Sequence, residues 1–240
     1  MKHPTVYPSP ETLCTAAADF WVAAYSAAII ARDSFHVAFS GGTTPKKLYE
    51  KLATPEYQSK INWHKVHIYF GDERFVPLDH DDSNFKMVNQ ALLINIDCPA
   101  TNIHPVNVSL HSAEAAAKQY EKTLIQHLPS SNGPQFDLVM LGLGPDGHTA
   151  SLFPDTDAVN ETTKQCVAVY VKKMDSWRVS ITFTAINNAH KILLLSEGSS
   201  KQEIIRAVTN NDEATTFLYP IQRVRQSDGF FWYADQAAVN

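Results

Sequence analysis

Cysteine is scarce in this 240-residue chain. Cys14, Cys98 and Cys166 are the full set, and they lie far apart. No CxxC or Cys/His spacing suggests zinc, and an odd number of scattered thiols does not make a disulfide framework. Free, buried thiols in a reducing compartment are the expected state. Positive charge is lacking too: 20 Lys and Arg stand against 25 Asp and Glu, for a net charge of -5. That balance offers no overall attraction to nucleic acid or an anionic membrane, so neither is an expected partner. An anionic small molecule would need a local cluster of donors. Long apolar runs are also missing. The longest, Phe20 to Ala31, falls short of the roughly 20 residues that span a bilayer, and the start MKHPTVYPSPET lacks a signal-peptide layout. A cytoplasmic location is the expectation. No internal repeat or low-complexity linker interrupts the chain.

What is present is an ordinary globular composition, 44% hydrophobic and 19% charged. The length is enough for a sizeable core. Glu11 to Arg32 is Ala-rich without internal Gly or Pro and reads as a helix. FHVAF (35–39), VHIYF (66–70), 136–141, 191–195 and 230–234 read as buried strands. Helices are predicted from Thr44-Pro45 through Leu52, over 83–93 with Ser83 as N-cap, and over 112–128 and 199–208. Strands alternating with helices predict a mostly parallel α/β sheet covered on both faces, in one domain over 1–240. The segments VAVYVKK and RVSITFTA, between Val167 and Asn188, fit strands either at an edge or across a cleft. In such sheets the site lies beyond the carboxyl ends of the strands.

Three loops leave strands at that end. SGGTTPKK follows the first strand. Its glycines allow close backbone approach, Thr44 is placed to cap the next helix, and Pro45 suits that helix's first position. Free N–H groups and the helix dipole there favour a phosphate, although a well-capped tight turn would read the same way. GDERFVP follows the next strand. Arg74 is placed either to grip an anion bidentately or to fix the loop through a local ion pair. GLGPDGHTASLFPDT follows strand 136–141. HTASLF reads as a short helix start, whose dipole would keep His148 neutral and able to accept a proton. Asp146 is placed to orient the ring, and an Asx-turn with a solvated histidine is the alternative. Lys201 falls in the first turn of a predicted helix, where a bound anion would offset its mismatch with the dipole. Pointing to solvent is its other reading. Arg178 is the second cation of this group. His104 reads as a loop histidine and the tryptophans as core.

Taken together, SGGTTP, GDERFVP, DSNFKM, GLGPDGHTASLFP and EGSSKQEII resemble the motifs of the 6-phosphogluconolactonase family, in its order and spacing, over about 16–234. The resemblance implies a Rossmann-like sheet flanked by helices, similar to glucosamine-6-phosphate deaminase and ribose-5-phosphate isomerase. It also implies hydrolysis of 6-phospho-D-glucono-1,5-lactone, with no cofactor and no metal. Carried over, His148 matches the general base and Arg74 an arginine near the substrate. Ser40, Gly41, Gly42, Arg178 and Lys201 match phosphate-holding positions. Thr43 and Asp72 complete the expected binding set, and Asp146 joins the catalytic set beside His148. With no G-x-S-x-G elbow, direct attack by water is the simplest route. Arg74 or a backbone N–H near Gly144 are the candidate oxyanion donors. A monomer or weak homo-oligomer is expected. The nearest rival is the related deaminase, whose loop resembles DGHxxFNEP and supplies a glutamate after the histidine; here Phe153-Pro154 stands in its place. A non-catalytic sugar-phosphate sensor would carry a DNA-binding module, and the segment before Phe35 shows none.

Overall fold

The computed structural model describes residues 1–128, 130–210, 218–225 and 227–240. Its strands are β1 (Thr5–Tyr7), β2 (Phe35–Phe39), β3 (Val66–Phe70), β4 (Asp72–Arg74), β5 (Ile103–His104), β6 (Leu138–Gly142), β7 (Cys166–Val171), β8 (Ser176–Ile181), β9 (Lys191–Ser196) and β10 (Phe230–Asp235). Its helices are α1 (Pro10–Arg32), α2 (Thr43–Leu52), α3 (Pro55–Gln58), α4 (Asn84–Ala91), α5 (Ala113–His127), α6 (Phe183–Asn187), α7 (Gln202–Thr209) and α8 (Gln236–Val239). The predicted sheet is there. Seven strands run parallel in the order β1-β10-β9-β6-β2-β3-β5. Each central strand buries apolar residues on both faces, as a sheet covered on two sides requires, with His36 and His67 the polar exceptions in β2 and β3.

Alternate residues of the strands feed two cores. Phe35, Val37, Phe39, Ile68 and Phe70 pack with α1, α2 and α4, while Ala38, Tyr69, Val139 and Leu141 pack with α5, α6 and α7. On the first face Trp21 of α1 meets Phe35 edge-on at 4.9 Å and Trp63 at 5.6 Å. Truncating such a buried aromatic costs about 3–5 kcal/mol. α1 extends beyond the predicted apolar stretch to 23 residues and is long and apolar enough to cross a membrane by length and composition. In the fold its Leu13, Ala17, Ala18, Trp21, Ala24 and Ala28 are spent on the sheet, while Asp19 and Ser26 face outward.

The segment from Val167 to Asn188 does not extend the main sheet. β7 and β8 pair antiparallel, and β8 pairs with β4 in a separate three-stranded sheet. Val169, Val171, Val179 and Ile181 close over the core on the α5 side, so α5 lies between the two sheets. Gly71 joins them: its N–H donates to Phe39 O at 2.7 Å, and its carbonyl accepts from Ile181 N at 2.9 Å. The across-the-cleft alternative is therefore the one adopted, and it sets Arg178 opposite Arg74 in register. β1 escaped the sequence reading because three residues are too few for periodicity.

His104 is not a loop histidine. It lies in β5, buried, with its ring stacked on Tyr69 at 4.4 Å and on His67 at 5.8 Å. His67 stacks on His36 at 4.5 Å, and His127 meets His104 edge-on at 4.7 Å. The four imidazoles line the α5 face of the sheet. His36 and His67 sit near the amino ends of their strands, away from the loops with chemistry.

Candidate active site

From β2 the chain proceeds through α2 on one face to β3. From β6 it proceeds through β7, β8 and α6 on the other face to β9. Connections leaving adjacent strands for opposite faces open a crevice beyond their carboxyl ends. The loops after β2 and β6 flank that crevice. The strand ends are pinned by tyrosine hydroxyls. Tyr49 OH accepts from Ser40 N at 3.0 Å and donates to Ser40 O at 2.9 Å; Tyr120 OH does the same for Phe70, at 2.7 and 3.1 Å. Both side chains are buried, so burial pushes both phenols well up and keeps them as hydrogen-bonding groups rather than charges.

A cleft of about 320 Å³ opens there. Ser40, Gly41, Gly42, Thr43, Asp72, Arg74, His148, Arg178 and Lys201 all line it, so nine of the ten predicted site residues share one concave surface. The tenth, Asp146, stands behind His148 and touches its ring. A larger groove of about 540 Å³ between α5 and β7 is lined by Glu114, Lys118, Glu121 and Glu161 among others. The smaller cleft is singled out by its unmet polar groups. The buried Ser40 Oγ, Arg74 Nε and Arg178 Nε have no hydrogen-bond partner among the described residues. Such groups are costly unless something fills their valence.

At the first loop Gly42, not Thr44, is the N-cap of α2, and no side chain caps it. Thr43 and Thr44 are the first helical residues, and the absence of a cap leaves their N–H groups open to an anion. Lys201 sits just ahead of α7 as the last residue of a single 3-10 turn, Ser199–Lys201. Burial lowers its pKa, with Asp146 pulling the other way. No described side chain neutralises it.

At the second loop Glu73 does the fixing. Its carboxylate accepts from Arg74 N, Asn84 N, Phe85 N and Ser83 Oγ at 2.7–3.2 Å, tying β4 to the start of α4. This frees Arg74 to reach the cleft, with Nη1 donating to Asp82 O at 2.6 Å. Buried Asp72 accepts from Ser151 Oγ at 2.6 Å and from Asn84 Nδ2 at 3.2 Å. Arg178 is buried beside Arg74. Burial lowers its pKa, Asp72 raises it, and Arg74 lowers it again. Asp82 and Glu73 add weaker stabilisation of the guanidinium, so two neighbouring cations share carboxylates that are largely engaged in holding the loop.

At the third loop no helix starts. Residues 149–152 are a turn closed by a bridge between Thr149 and Leu152, with Ala150 at a φ of 48°. A helix dipole therefore does not act on His148. Burial lowers its pKa instead, and the hydrogen bond to Asp146 pulls it back up. Asp146 Oδ1 accepts from His148 N at 3.3 Å, which is the expected Asx-turn, and the same oxygen contacts ring Nδ1. Turn and orienter are one device. With Nδ1–H donated to Asp146, Nε2 is left as the basic nitrogen of the neutral ring. Phe153 stacks on the imidazole at 3.9 Å. Gly144 lies under the ring so closely that an added Cβ would fall 2.0 Å from Nδ1, and Gly147 at φ 77° turns the chain where L side chains are strained. The Gly144 N–H donates to His148 O at 2.8 Å. That bond occupies the N–H of Gly144 itself.

Asn84, Ser151, Glu197 and Lys173 were not singled out from sequence. Asn84 stands in the DSNFKM motif, which was a usable signal. Glu197 lines the cleft and pairs with Lys47. Ser151 stands in the GLGPDGHTASLFP motif, whereas Lys173 had no local signal, because it reaches Asp146 from a distant segment.

Comparisons with known proteins point to one family and one fold. A family model described as glucosamine-6-phosphate isomerases/6-phosphogluconolactonase matches residues 8–232. The 6-phosphogluconolactonase of Synechocystis sp. is 38% identical over 213 residues, covering 88% of this chain and 86% of that protein. A solved 6-phosphogluconolactonase from Trypanosoma cruzi superposes with a TM-score of 0.86 at 29% identity, covering 99% of this chain and 96% of that one. A monomeric glucosamine-6-phosphate deaminase superposes with a TM-score of 0.81 at 18% identity, covering 99% of this chain and 98% of that one. That last likeness is one of fold.

Proposed function

We propose that this chain, which belongs to the family of glucosamine-6-phosphate isomerases and 6-phosphogluconolactonases, hydrolyses 6-phospho-D-glucono-1,5-lactone to 6-phospho-D-gluconate, a step of the oxidative pentose phosphate pathway. The observation that carries the reading is the pairing of an oriented, uncharged histidine with orphaned cationic donors in one cleft. The N–H groups opening α2, with Lys201 and Arg178, form the phosphate end. His148 and Arg74 form the reacting end.

In this reading water attacks the lactone carbonyl while His148 Nε2 takes one of its protons. The carbonyl oxygen becomes an oxyanion, which Arg74 stabilises. Collapse of the tetrahedral intermediate breaks the ring C–O bond, and the imidazolium returns the proton to the departing ring oxygen. Asp146 holds the tautomer and meets the charge that His148 carries in between. General-base help is worth about 10²–10⁴-fold, enough for a substrate that already opens slowly in water. Because the histidine must be neutral, kcat/KM is expected to fall on the acid side, with a limb below the ordinary histidine value of about 6.5. The same reading takes 1–240 as one lactonase domain, monomeric or weakly self-associating and cytoplasmic. Its net charge of -5 supports the absence of nucleic-acid and membrane partners.

The test is a coupled assay. Glucose-6-phosphate dehydrogenase generates the lactone, and formation of 6-phosphogluconate is followed with and without the protein, with glucosamine 6-phosphate deamination in parallel. Acceleration of the first reaction alone is expected. Deamination without lactone hydrolysis would overturn the assignment.

A further inference from the structure

Asp146 has two partners, and the second lies outside the cleft. Its Oδ1 contacts His148 Nδ1, while its Oδ2 pairs with Lys173 Nζ. Lys173 comes from the 3-10 turn Lys172–Met174 that joins β7 to β8, 27 residues away in sequence. That turn ends on Asp175 in the left-handed region at φ 45°, and Tyr170 OH donates to the Asp175 carboxylate. The hairpin tip therefore has a defined shape. The Lys173 ammonium also sits over the Phe153 ring at 4.7 Å from its centroid, on the ring that stacks against His148. One lysine thus meets both supports of the imidazole, its hydrogen-bonded carboxylate and its stacked aromatic.

We propose that Lys173 is a positioning residue for His148: by holding the outer oxygen of Asp146 it fixes the carboxylate against the ring and draws off part of its charge, so that the imidazole is oriented without being locked in the protonated form. The proposal rests on the reading of His148 as the base. Orientation and basicity are otherwise in conflict. A carboxylate close enough to fix a ring also stabilises the imidazolium, and a protonated ring accepts nothing from water. A cation on the far oxygen keeps the geometry and weakens that stabilisation. The surrounding charges are consistent. Burial lowers the His148 pKa, Asp146 and Asp72 raise it, and Lys173 lowers it. Burial opposes the Asp146 charge, yet hydrogen bonds from Lys173 and His148 hold this carboxyl down to about 2. Arg178 stands over Phe153 at 5.4 Å, and Lys201 is close enough for Asp146 to raise its pKa. Of these cations only Lys173 touches the carboxylate.

The experiment is an NMR titration of the His148 ring in the free protein, beside pH profiles of kcat/KM, for wild type, Lys173→Met and Lys173→Arg. Lys173 is half exposed, so neither change threatens the fold; thermal melts check this. Lys173→Met is expected to raise the ring's titration midpoint and move the acid limb the same way, by about half a unit. That shift costs roughly threefold in rate below the limb, with little loss above it. Lys173→Arg is expected to restore both. A His148 midpoint unchanged in Lys173→Met, or an arginine variant no different from the methionine one, overturns the proposal. Loss of rate at every pH with the limb unmoved would mean that the hairpin only packs. The titration needs no substrate, so the lysine's role stands or falls separately from the lactonase reading.

Discussion

Two groups of histidines sit on this sheet under opposite rules. His148, beyond the carboxyl ends of the strands, has a carboxylate on one nitrogen and a cleft before it. His36, His67, His104 and His127, on the α5 face, have one another. The His36 ring finds Ser34 Oγ at 3.2 Å and Tyr69 OH at 3.3 Å, and His67 Nδ1 meets His104 Nε2 at 3.5 Å. The nearby Asp137 carboxylate accepts from the His36 backbone N–H at 2.8 Å and pairs with Arg32, and among the described residues no carboxylate pairs with these rings. Burial lowers the pKa of His36 and of His104, and the neighbouring histidines lower both further, to about 4. Burial disfavours the charged form in both places. Only His148 has a partner that makes a transient positive charge tolerable. In the proposed reading the cleft changes protonation, whereas the stack resists it.

The largest expected effect tests the cleft. His148→Ala is predicted to lower turnover by about 10²–10⁴-fold, with phosphosugar affinity and melting temperature nearly unchanged. The ring packs on Phe153, Asp146 and Gly144 at the rim of the cleft and belongs to neither hydrophobic core. Wild-type hydrolysis of freshly generated lactone by this variant would remove the base and with it one side of the comparison.

Lys201→Ala comes next. An unneutralised cation at the start of α7 has no structural task, so its removal leaves the fold alone. A charge-assisted hydrogen bond is worth about 1.5–3 kcal/mol, so the Michaelis constant is expected to rise about tenfold or more, with a smaller change in kcat. An unchanged Michaelis constant would take Lys201 out of the site.

The stack is tested by acid. Folded His36 and His104 hold their protons less tightly than the unfolded chain, whose histidines titrate near 6.5. Between that value and about 4 the unfolded state binds more protons. Stability therefore rises with pH across this window: it is fully present above it and lost as pH falls through it. Melting temperature should drop from pH 7 to pH 4.5, by about 2–4 °C for each kcal/mol in a chain of this size. The variant His36→Gln/His104→Gln should flatten that slope and leave lactone hydrolysis at pH 7 as it was. An equal slope in the variant would show that the acid sensitivity lies elsewhere.

The two regions also differ in how much of them was legible in the sequence. The cleft announced itself because glycines, Asp72, Arg74 and His148 gather immediately after apolar strands, and strand ends converge in a parallel sheet. His36, His67 and His104 gave no such sign. Each stands singly in an apolar strand, and only the register that pairs His36 with His67 and Tyr69 with His104 makes a stack of them. The same limit hid Lys173 and the partner of Ser151, both of whose contacts are long-range. The helix expected at His148 failed for a local reason. Gly147 and Ala150 both take positive φ, which breaks any run of helical residues. His148 keeps its neutral form nonetheless, through burial rather than a dipole.

Ser40 gives the smallest effect and the finest discrimination. Its hydroxyl is buried without a partner, whereas the polar atoms of the His36 ring are met within the protein. A hydroxyl that bonds nothing contributes nothing to folding and bears a desolvation cost, so Ser40→Ala should leave the melting temperature unchanged or slightly raised. If the hydroxyl waits for substrate, the same change should raise the Michaelis constant by about two- to tenfold, the worth of one neutral hydrogen bond of about 0.5–1.5 kcal/mol. Opposite signs on stability and affinity mark a group kept for a ligand. A lower melting temperature with an unchanged Michaelis constant would place Ser40 with the stack, among groups that serve the fold.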